Sequence, residues 1–274
     1  MAGLLESVEV ELVEVKTSGD RGARVGDKSR WVKEIEEALL DGRADLAVHS
    51  AKDVPGELPP GLSIVGVPDR AAARDAVCGA AGVAAIPEGA VVGTSSLRRR
   101  SQLLAMRPDL AVEDMRGNVD TRLRKLRDRQ YDAIVLAQAG LERLGVDEGE
   151  PVDAGTLTPA PGQGCLALEG RSDDADVARL AGAVTDRRAL VELTAERAVV
   201  TALGATCNTP VGAHARFDGE HLVIAAYAGL PDGSSWIRDR VEAAADNPSA
   251  LGRELAERML AAGAGALLAE AEAG

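Results

Sequence analysis

Three arginines stand where they could bind an anion. Arg98 and Arg99 come just after the apolar segment 91–93, and Arg116 follows another apolar segment. If both segments are strands of a parallel sheet, these arginines lie at its carboxyl edge, where open α/β folds bind ligands and helix N-termini favour negative charge. A guanidinium also matches the two oxygens of a carboxylate or phosphate. We therefore predict an anion site here, whereas solvated helix faces account better for the arginines further along the chain.

Two further positions carry groups that could react. Lys52 and Asp53 follow another predicted strand. They form either a surface ion pair or a carboxylate held beside a cation in a cleft, suited to proton transfer or to stabilising a cationic intermediate. Cys207 lies among small and polar residues of a predicted loop, so it is either an incidental cysteine or an accessible thiol. Cys78 and Cys165 lie in apolar segments and are interpreted as packing residues.

The apolar pattern predicts the elements that position these groups. Alternating apolar and acidic residues over 8–15 predict a half-buried strand, and helical spacing over 31–40 is followed by short strands. The order strand, helix, strand, helix over 91–144 predicts parallel βαβ units. A segment rich in Pro, Gly and Thr at 151–164 is interpreted as a crossing between domains. The last third predicts a small α/β domain, with a helix at 186–203, strands at 211–217, 222–227 and 236–241, and a final helix at 249–261.

The composition argues against several classes of protein. Lys and Arg number 31 against 44 Asp and Glu, and the resulting net charge of −13 disfavours binding nucleic acid or an anionic membrane over the whole surface. No apolar run approaches the ~20 residues of a membrane span. Three cysteines without a CxxC pair favour a reducing cytoplasm, and three histidines without ligand spacing favour no metal site. We expect a cytoplasmic monomer whose positive charge is local.

Six short segments, in this order, resemble the porphobilinogen deaminase (hydroxymethylbilane synthase) family. They are VHSAKDVP at 48–55, VGTSSLRR at 92–99, RGNVDTRL at 116–123, PGQG at 161–164, TAER at 194–197 and CNTPVG at 207–212. The likeness runs from about Val8 to the C-terminus. It implies a transferase of tetrapyrrole (heme) biosynthesis that joins four porphobilinogen molecules head to tail into hydroxymethylbilane and releases ammonia.

The resemblance also implies a role for each matching residue. A dipyrromethane cofactor, itself made from two substrate units, would be attached to Cys207 by a thioether, and Asp53 would be the catalytic carboxylate. The other implied cofactor-binding residues are Lys52, Ser96, Arg98, Arg99, Asn118 and Arg122, and the implied substrate-binding residues are Thr94, Ser95, Arg116, Arg143 and Gln163. Arginines suit both tasks, because every pyrrole unit brings two carboxylates.

The implied fold is α/β, with two domains like those of type II periplasmic binding proteins and a small C-terminal α/β domain that carries the cysteine. We expect domain 1 at 1–68 and 165–182, domain 2 at 72–158 and the C-terminal domain at 187–274. Family members have a strand, a turn and a helix ahead of the position that matches Met1, so we expect domain 1 to be incomplete, with an exposed sheet edge. The alternative is therefore a truncated, non-catalytic binder of small carboxylates. A loop at 18–31 containing Lys28 is expected to cover the cleft.

Overall fold

The structure, a computed structural model, describes residues 8–15, 29–206 and 209–273. Cys207 and residues 18–28 of the expected covering loop, with Lys28, lie outside this part of the chain. Within the described ranges, every helix is too short or too polar to span a lipid bilayer.

The helices are α1 (Ser29–Leu40), α2 (Leu97–Met106), α3 (Val119–Arg127), α4 (Gln138–Arg143), α5 (Ala175–Ala183), α6 (Arg187–Leu203), α7 (Pro248–Ala261) and α8 (Ala264–Ala273). The strands are β1 (Ala47–Ser50), β2 (Leu62–Gly66), β3 (Asp75–Cys78), β4 (Val91–Gly93), β5 (Ala111–Glu113), β6 (Ala133–Ala137), β7 (Glu150–Pro151), β8 (Leu166–Arg171), β9 (Val211–Asp218), β10 (His221–Gly229) and β11 (Trp236–Ala244).

The middle of the chain forms a five-stranded sheet in the order β5-β4-β6-β3-β7. β4 pairs in parallel with β5 and β6, which confirms the predicted βαβ units, whereas β3 is antiparallel to β6 and β7. β6 is apolar at every position because both of its faces are covered. Val135 packs in the core on one face, and Ile134 packs in the core on the other. The carboxyl ends of the three parallel strands consequently share one edge of the sheet.

A smaller sheet contains β1, β8 and β2 in that order, with β8 antiparallel to both neighbours. α1 covers this sheet through Leu39, which packs with Ala47 and Leu62. The strand predicted at 8–15 is wrong, because these residues pair with no strand in the described structure and Leu12 is 86% exposed. Alternating apolar residues suit a half-buried strand, but the pattern does not supply a neighbour for the backbone hydrogen bonds.

The last sheet is an antiparallel meander in the order β11-β10-β9, covered by α6 and α7. α6 begins after Asp186, whose side chain accepts a hydrogen bond from the Ala189 amide, and ends at Gly204 in the left-handed conformation that favours glycine. The predicted long helix and three strands are confirmed here. The predicted helix at 249–261 is confirmed as α7, but the expectation that it is the final helix is wrong, because α8 follows. Its run of Ala and Leu lacks the polar spacing that marks an amphipathic helix.

A buried glutamate connects α6 to the rest of the molecule. Glu196 has no exposed surface, and it accepts hydrogen bonds from Arg70 (Nη1, 2.8 Å) and from the amides of Gly162 (2.6 Å) and Ala215 (2.8 Å). Arg70 and Gly162 lie in the two segments that connect the first two sheets, and Ala215 belongs to β9. Burial alone would raise the pKa of Glu196, but Arg70 and the hydrogen-bonded neighbours hold it below its ordinary value. The two connecting segments and the last sheet are therefore joined through one ionised carboxylate.

Candidate active site

A cavity of about 760 Å³ lies where the elements carrying the predicted site residues meet. It is bounded by the turn after β1, the carboxyl ends of β4 and β6, the first turns of α2 and α3, and the last turns of α6. The sequence-predicted residues that line it are Lys52, Asp53, Ser95, Ser96, Arg98, Arg99, Asn118, Arg122, Arg143 and Gln163. Arg197 lines it as well, so the described lining holds six Lys or Arg side chains against the single carboxylate of Asp53.

Two of the arginines are held rigidly by one carboxylate. Arg98 and Arg99 are 4% and 6% exposed, and Asp75, the first residue of β3, is completely buried beside them. Asp75 Oδ2 accepts from Arg98 Nη1 at 2.7 Å, and its Oδ1 accepts from Arg99 Nη2 at 2.7 Å. The remaining Nη1 donors are also used, since Arg98 donates to the Thr158 carbonyl (2.7 Å) and Arg99 to the Val135 carbonyl (2.8 Å). Two cations against one anion leave this group with a net positive charge at the cavity wall.

Gln163 completes the group around that carboxylate. Its side-chain amide donates to the Ala73 carbonyl at 2.6 Å and to Asp75 Oδ1 at 2.9 Å, and its own backbone carbonyl accepts from Arg70 Nη2 at 2.9 Å. Burial alone would raise the pKa of Asp75, but Arg98 and Arg99 hold it well below its ordinary value. We name Asp75, Arg98, Arg99 and Gln163 the arginine cluster.

Two helices point their N-termini at the same cavity. The Ser96 hydroxyl caps α2 by accepting from the Arg99 amide at 3.4 Å, and the Asn118 side chain caps α3 by accepting from the Thr121 amide at 2.9 Å. Arg122 follows one turn later and donates through Nε to the Gly117 carbonyl at 2.7 Å. Burial, with a smaller effect of nearby Arg99, lowers the pKa of Arg122. Helix ends and a partly buried cation thus add to the positive potential.

Lys52 and Asp53 lie on a single 3₁₀ turn, Ala51–Asp53, directly after β1. Both side chains are half-buried and line the cavity. The crossing segment closes on this turn at Gly162, which has φ +73°, and a Cβ there would come within 2.9 Å of Ala51. Only glycine allows that approach without strain, so the turn is held between β1 and the crossing segment.

The cavity also reaches the chain on both sides of Cys207, which itself lies outside the described residues. Thr206 and Thr209 both line it. The Thr209 hydroxyl accepts from the Thr206 amide at 2.9 Å and donates to the Thr206 carbonyl at 2.7 Å, so the two flanking residues are bonded to each other.

Comparison with known proteins identifies the family. Residues 1–179 match the model for the dipyrromethane cofactor binding domain of porphobilinogen deaminase, and residues 190–261 match the model for its C-terminal domain. The chain belongs to the porphobilinogen deaminase family. The resemblance drawn from the six segments is therefore confirmed.

Relatives within the porphobilinogen deaminase family are close in sequence. The enzyme of Roseiflexus sp. (strain RS-1) is 50% identical over 249 residues, which cover 89% of this chain and 82% of the relative. That of a Nitratiruptor species is 43% identical over 277 residues, covering 97% and 88%. Among solved structures, the periplasmic sulfonate-binding protein SsuA from Methylobacillus flagellatus aligns with a TM-score of 0.34 and 13% identity, over 61% of this chain and 52% of that one. The α/β class is confirmed by the family match and the observed sheets.

The cofactor of porphobilinogen deaminases fits the residues present. A dipyrromethane made from two substrate units carries two carboxylates on each pyrrole, and the described lining offers six Lys or Arg side chains and two helix N-termini. The chain on either side of Cys207 lines the same space. The positive charge of the lining and the presence of Thr206 and Thr209 in it therefore both suit a polycarboxylate attached to this part of the chain.

Two residues that the family motifs suggested lie elsewhere. Thr94 is 2% exposed, and its hydroxyl accepts from the Ser96 amide at 3.2 Å, so it shapes the loop behind the cavity wall. Arg116 is exposed and is absent from the described lining. Conversely, Asp75 and Arg197 were not predicted. Arg197 stands inside the TAER segment, whereas Asp75 offers only an acidic residue at the start of an apolar strand pattern.

Proposed function

We propose that the residues of this cavity carry out the reaction of the family, the joining of four porphobilinogen molecules head to tail into hydroxymethylbilane with release of ammonia. The observation that carries the proposal is the charge of the described lining, six Lys or Arg against one Asp in a protein of net charge −13. Each substrate brings two carboxylates, so a growing chain needs many cations and few anions around it. When bound, the dipyrromethane supplies the terminal pyrrole to which the first porphobilinogen is joined.

Asp53 acts, in this proposal, on the amino group that leaves and on the positive charge that follows. In each addition the C–N bond of the substrate's aminomethyl group breaks and the nitrogen leaves as ammonia, so an electrophilic azafulvene forms on the substrate. Carbon–carbon bond formation then releases a proton. A carboxylate at this point stabilises the cationic stages, gives a proton to the departing nitrogen and accepts the released one.

The cations divide into two kinds. Arg98 and Arg99 are fixed by Asp75, so they bind carboxylates without first being ordered, and they anchor the cofactor. Arg143 is exposed, and it donates to the Gly164 carbonyl at 2.8 Å. It therefore meets the carboxylates of incoming substrate, together with Ser95, while Lys52, Ser96, Asn118 and Arg122 hold the cofactor.

Cys207 is the proposed attachment point of the cofactor. A thiolate is a competent nucleophile toward an azafulvene and would leave a thioether. The other two thiols are unsuited to this reaction, since both are buried. Burial raises the pKa of Cys78 to about 11 and that of Cys165 to about 12.

The attachment is tested by mass spectrometry of the protein purified from a host that makes porphobilinogen. We expect the intact mass to exceed the sequence mass by one dipyrromethane, located on the peptide containing Cys207, and Ehrlich's reagent to give a colour. Cys78 and Cys165 serve as internal controls and should be unmodified. A Cys207 peptide without added mass would contradict the proposal and favour the non-catalytic binder, which the family match does not favour.

The role of Asp53 is tested by Asp53→Asn, with Glu57→Gln as a matched control. Glu57 is an exposed carboxylate just beyond the same turn and is absent from the described lining. We expect Asp53→Asn to retain the cofactor but to lose about 10²–10⁴-fold in turnover, the usual effect of removing an acid–base group. Glu57→Gln should turn over normally. Normal turnover in Asp53→Asn would remove this carboxylate from the mechanism.

We propose domain 1 at 1–68 and 165–182, domain 2 at 72–158 and a C-terminal domain at 187–274. The observation that supports these bounds is that the strands within each proposed domain belong to one sheet. We also propose a monomer working in the cytoplasm, supported by its cysteine usage and acidic composition.

A further inference from the structure

Helix α6 packs against two sheets at once. Leu193 shares a core with Ala51, the first residue of the 3₁₀ turn that carries Asp53 (the catalytic turn), and with Val54, which follows this turn. On another face of the helix, Val199 and Leu203 share a core with the strands of the last sheet. The same helix ends at Leu203, close before Cys207, so it links the turn that carries Asp53 to the segment that carries the anchoring cysteine.

Arg197 lies on the face of α6 that meets the catalytic turn. Its Nη2 donates to the carbonyls of Pro55 at 2.8 Å and Gly56 at 2.9 Å, and its Nη1 lies 3.5 Å from the Val54 carbonyl. The chain is pressed closely onto the helix at this point, because a Cβ at Gly56 would come within 3.3 Å of the Thr201 hydroxyl. The guanidinium of Arg197 therefore contacts three consecutive backbone carbonyls directly after Asp53.

This use of an arginine differs from that of Arg98 and Arg99. Arg98 and Arg99 face a carboxylate, whereas the partners of Arg197 are neutral carbonyls that need donors in several directions rather than a compensating charge. The planar guanidinium supplies such donors in a fixed fork, which a lysine cannot reproduce. Burial lowers the pKa of Arg197, and nearby Glu169 offsets part of that effect.

We propose that Arg197 is a positioning residue for Asp53, which locks the 51–56 turn onto the helix leading to Cys207. The two reacting partners, the carboxylate and the anchored chain, are then placed by one rigid element. Val54 directly follows Asp53, so a shift of the three carbonyls moves the carboxylate with them. This inference rests on the roles proposed above for Asp53 and Cys207.

The test compares Arg197→Met and Arg197→Lys with a control on the same helix, each as the cofactor-loaded enzyme. Arg188→Met is the control, since Arg188 also belongs to α6 and donates to a backbone carbonyl, that of Gly219 at 3.2 Å, away from the cavity. We expect Arg197→Met to lower kcat about 10²-fold, the scale of a displaced catalytic group, with KM changed less than about threefold. Hydrogen–deuterium exchange at residues 51–58 should rise in this variant and stay unchanged in Arg188→Met.

Arg197→Lys separates positioning from charge and keeps the test decisive if the methionine variant folds poorly. A lysine retains the positive charge but not the fork, so we expect kcat to stay at least about tenfold below the parent. Full recovery in Arg197→Lys would overturn the proposal. So would a raised KM with unchanged kcat in Arg197→Met, which would make Arg197 a binding arm for substrate carboxylate. Asp53→Asn measured in parallel distinguishes the two failures: normal turnover there would refute the role of Asp53 itself.

Discussion

Two buried ionic clusters, one in each of the first two sheets, have opposite charge balances. The arginine cluster places two guanidiniums and an amide around Asp75. A second group, which we name the carboxylate cluster, places Glu36, His49 and Glu169 together beneath β1. The first has more cations than anions, and the second has two carboxylates for one imidazole.

The clusters also differ in how well their carboxylate oxygens are satisfied. Both oxygens of Asp75 accept hydrogen bonds. In the carboxylate cluster, His49 Nε2 lies 2.9 Å from Glu169 Oε2 without the alignment of a hydrogen bond. Oε1 of Glu36 and both oxygens of Glu169 lack a donor within the described residues. Burial and the charge of Glu169 raise the pKa of Glu36, and His49 offsets part of the effect.

The difference shows that the role of a buried ionic group is indicated by its net charge and not by its number of ion pairs. Excess positive charge borders the cavity, where it prepares a site for carboxylates. Excess negative charge lies at the strand that leads to Asp53, and there it favours the protonated form of Glu36. Ion pairing alone would assign the two clusters the same role, whereas charge balance predicts opposite responses to neutralising a carboxylate.

The largest expected effect comes from Asp75→Asn. Removing the one anion leaves two buried guanidiniums uncompensated, so we expect a loss of about 3–5 kcal/mol in the free energy of unfolding and a smaller cofactor-loaded fraction. Urea denaturation and intact-mass measurement would show both. Asp109→Asn is the matched control, because its ion pair with Arg107 is partly exposed, and little change is expected there.

A double variant sharpens this comparison. If unbalanced charge causes the loss, Arg98→Met should recover part of the stability when it is combined with Asp75→Asn. Additive losses in the double variant would instead assign the effect to packing, and the arginine cluster would then not differ from the carboxylate cluster in the way described.

A smaller effect is expected from Gln163→Leu. This change removes the amide that donates to the Ala73 carbonyl and to Asp75, while both arginines stay in place. One unsatisfied buried carbonyl costs about 1–3 kcal/mol, so the urea midpoint should fall by less than in Asp75→Asn. Steady-state kinetics add a second readout. A large rise in KM with no loss of stability would make Gln163 a substrate ligand and not a member of the arginine cluster.

Site residues that lie close together in the sequence could be predicted, whereas partners from distant strands could not. Arg98 and Arg99 stand out in the sequence because they follow a strand pattern within one βα unit, and the structure brings both to the cavity. Their partner Asp75 lies 23 residues before Arg98, and only the sheet order β4-β6-β3 brings it near. Periodicity gives the face of each strand but not which strands are neighbours.

The same limit explains the wrong strand prediction at 8–15 and the unpredicted pairing in the sheet of β1, β8 and β2. The alternation at 8–15 predicts a strand, but pairing decides whether one forms, and no partner is present among the described residues. β8 shows the opposite case. Its short apolar run is a weak strand signal, yet it pairs with β1 and β2, which lie far from it in the sequence. Consequently Glu169 on β8 and His49 on β1 meet in a cluster that no local pattern shows.

The smallest effect is expected from Glu36→Gln, and it has the opposite sign. The pKa of Glu36 is raised in the folded state, so the folded protein binds this proton more tightly than the unfolded chain does. Stability therefore falls as pH rises from the ordinary pKa of 4.5 through the raised value, and it remains reduced above that value. Replacing the carboxylate with a neutral amide should add about 0.5–2 kcal/mol at pH 7.5, within the range of single stabilising changes.

The dependence on pH is what distinguishes this gain from better packing. Because protonated glutamate and glutamine are both neutral, the advantage of Glu36→Gln should disappear as the pH approaches 4.5. Glu37→Gln serves as the control, since Glu37 is an exposed neighbour on α1 paired with Lys33 at 3.9 Å, and its replacement should change little at any pH. Urea midpoints of the three proteins from pH 5 to 8 test this. A loss of stability in Glu36→Gln that is constant across this range would mean that the Glu36 carboxylate is satisfied when ionised, and the contrast between the two clusters would fail.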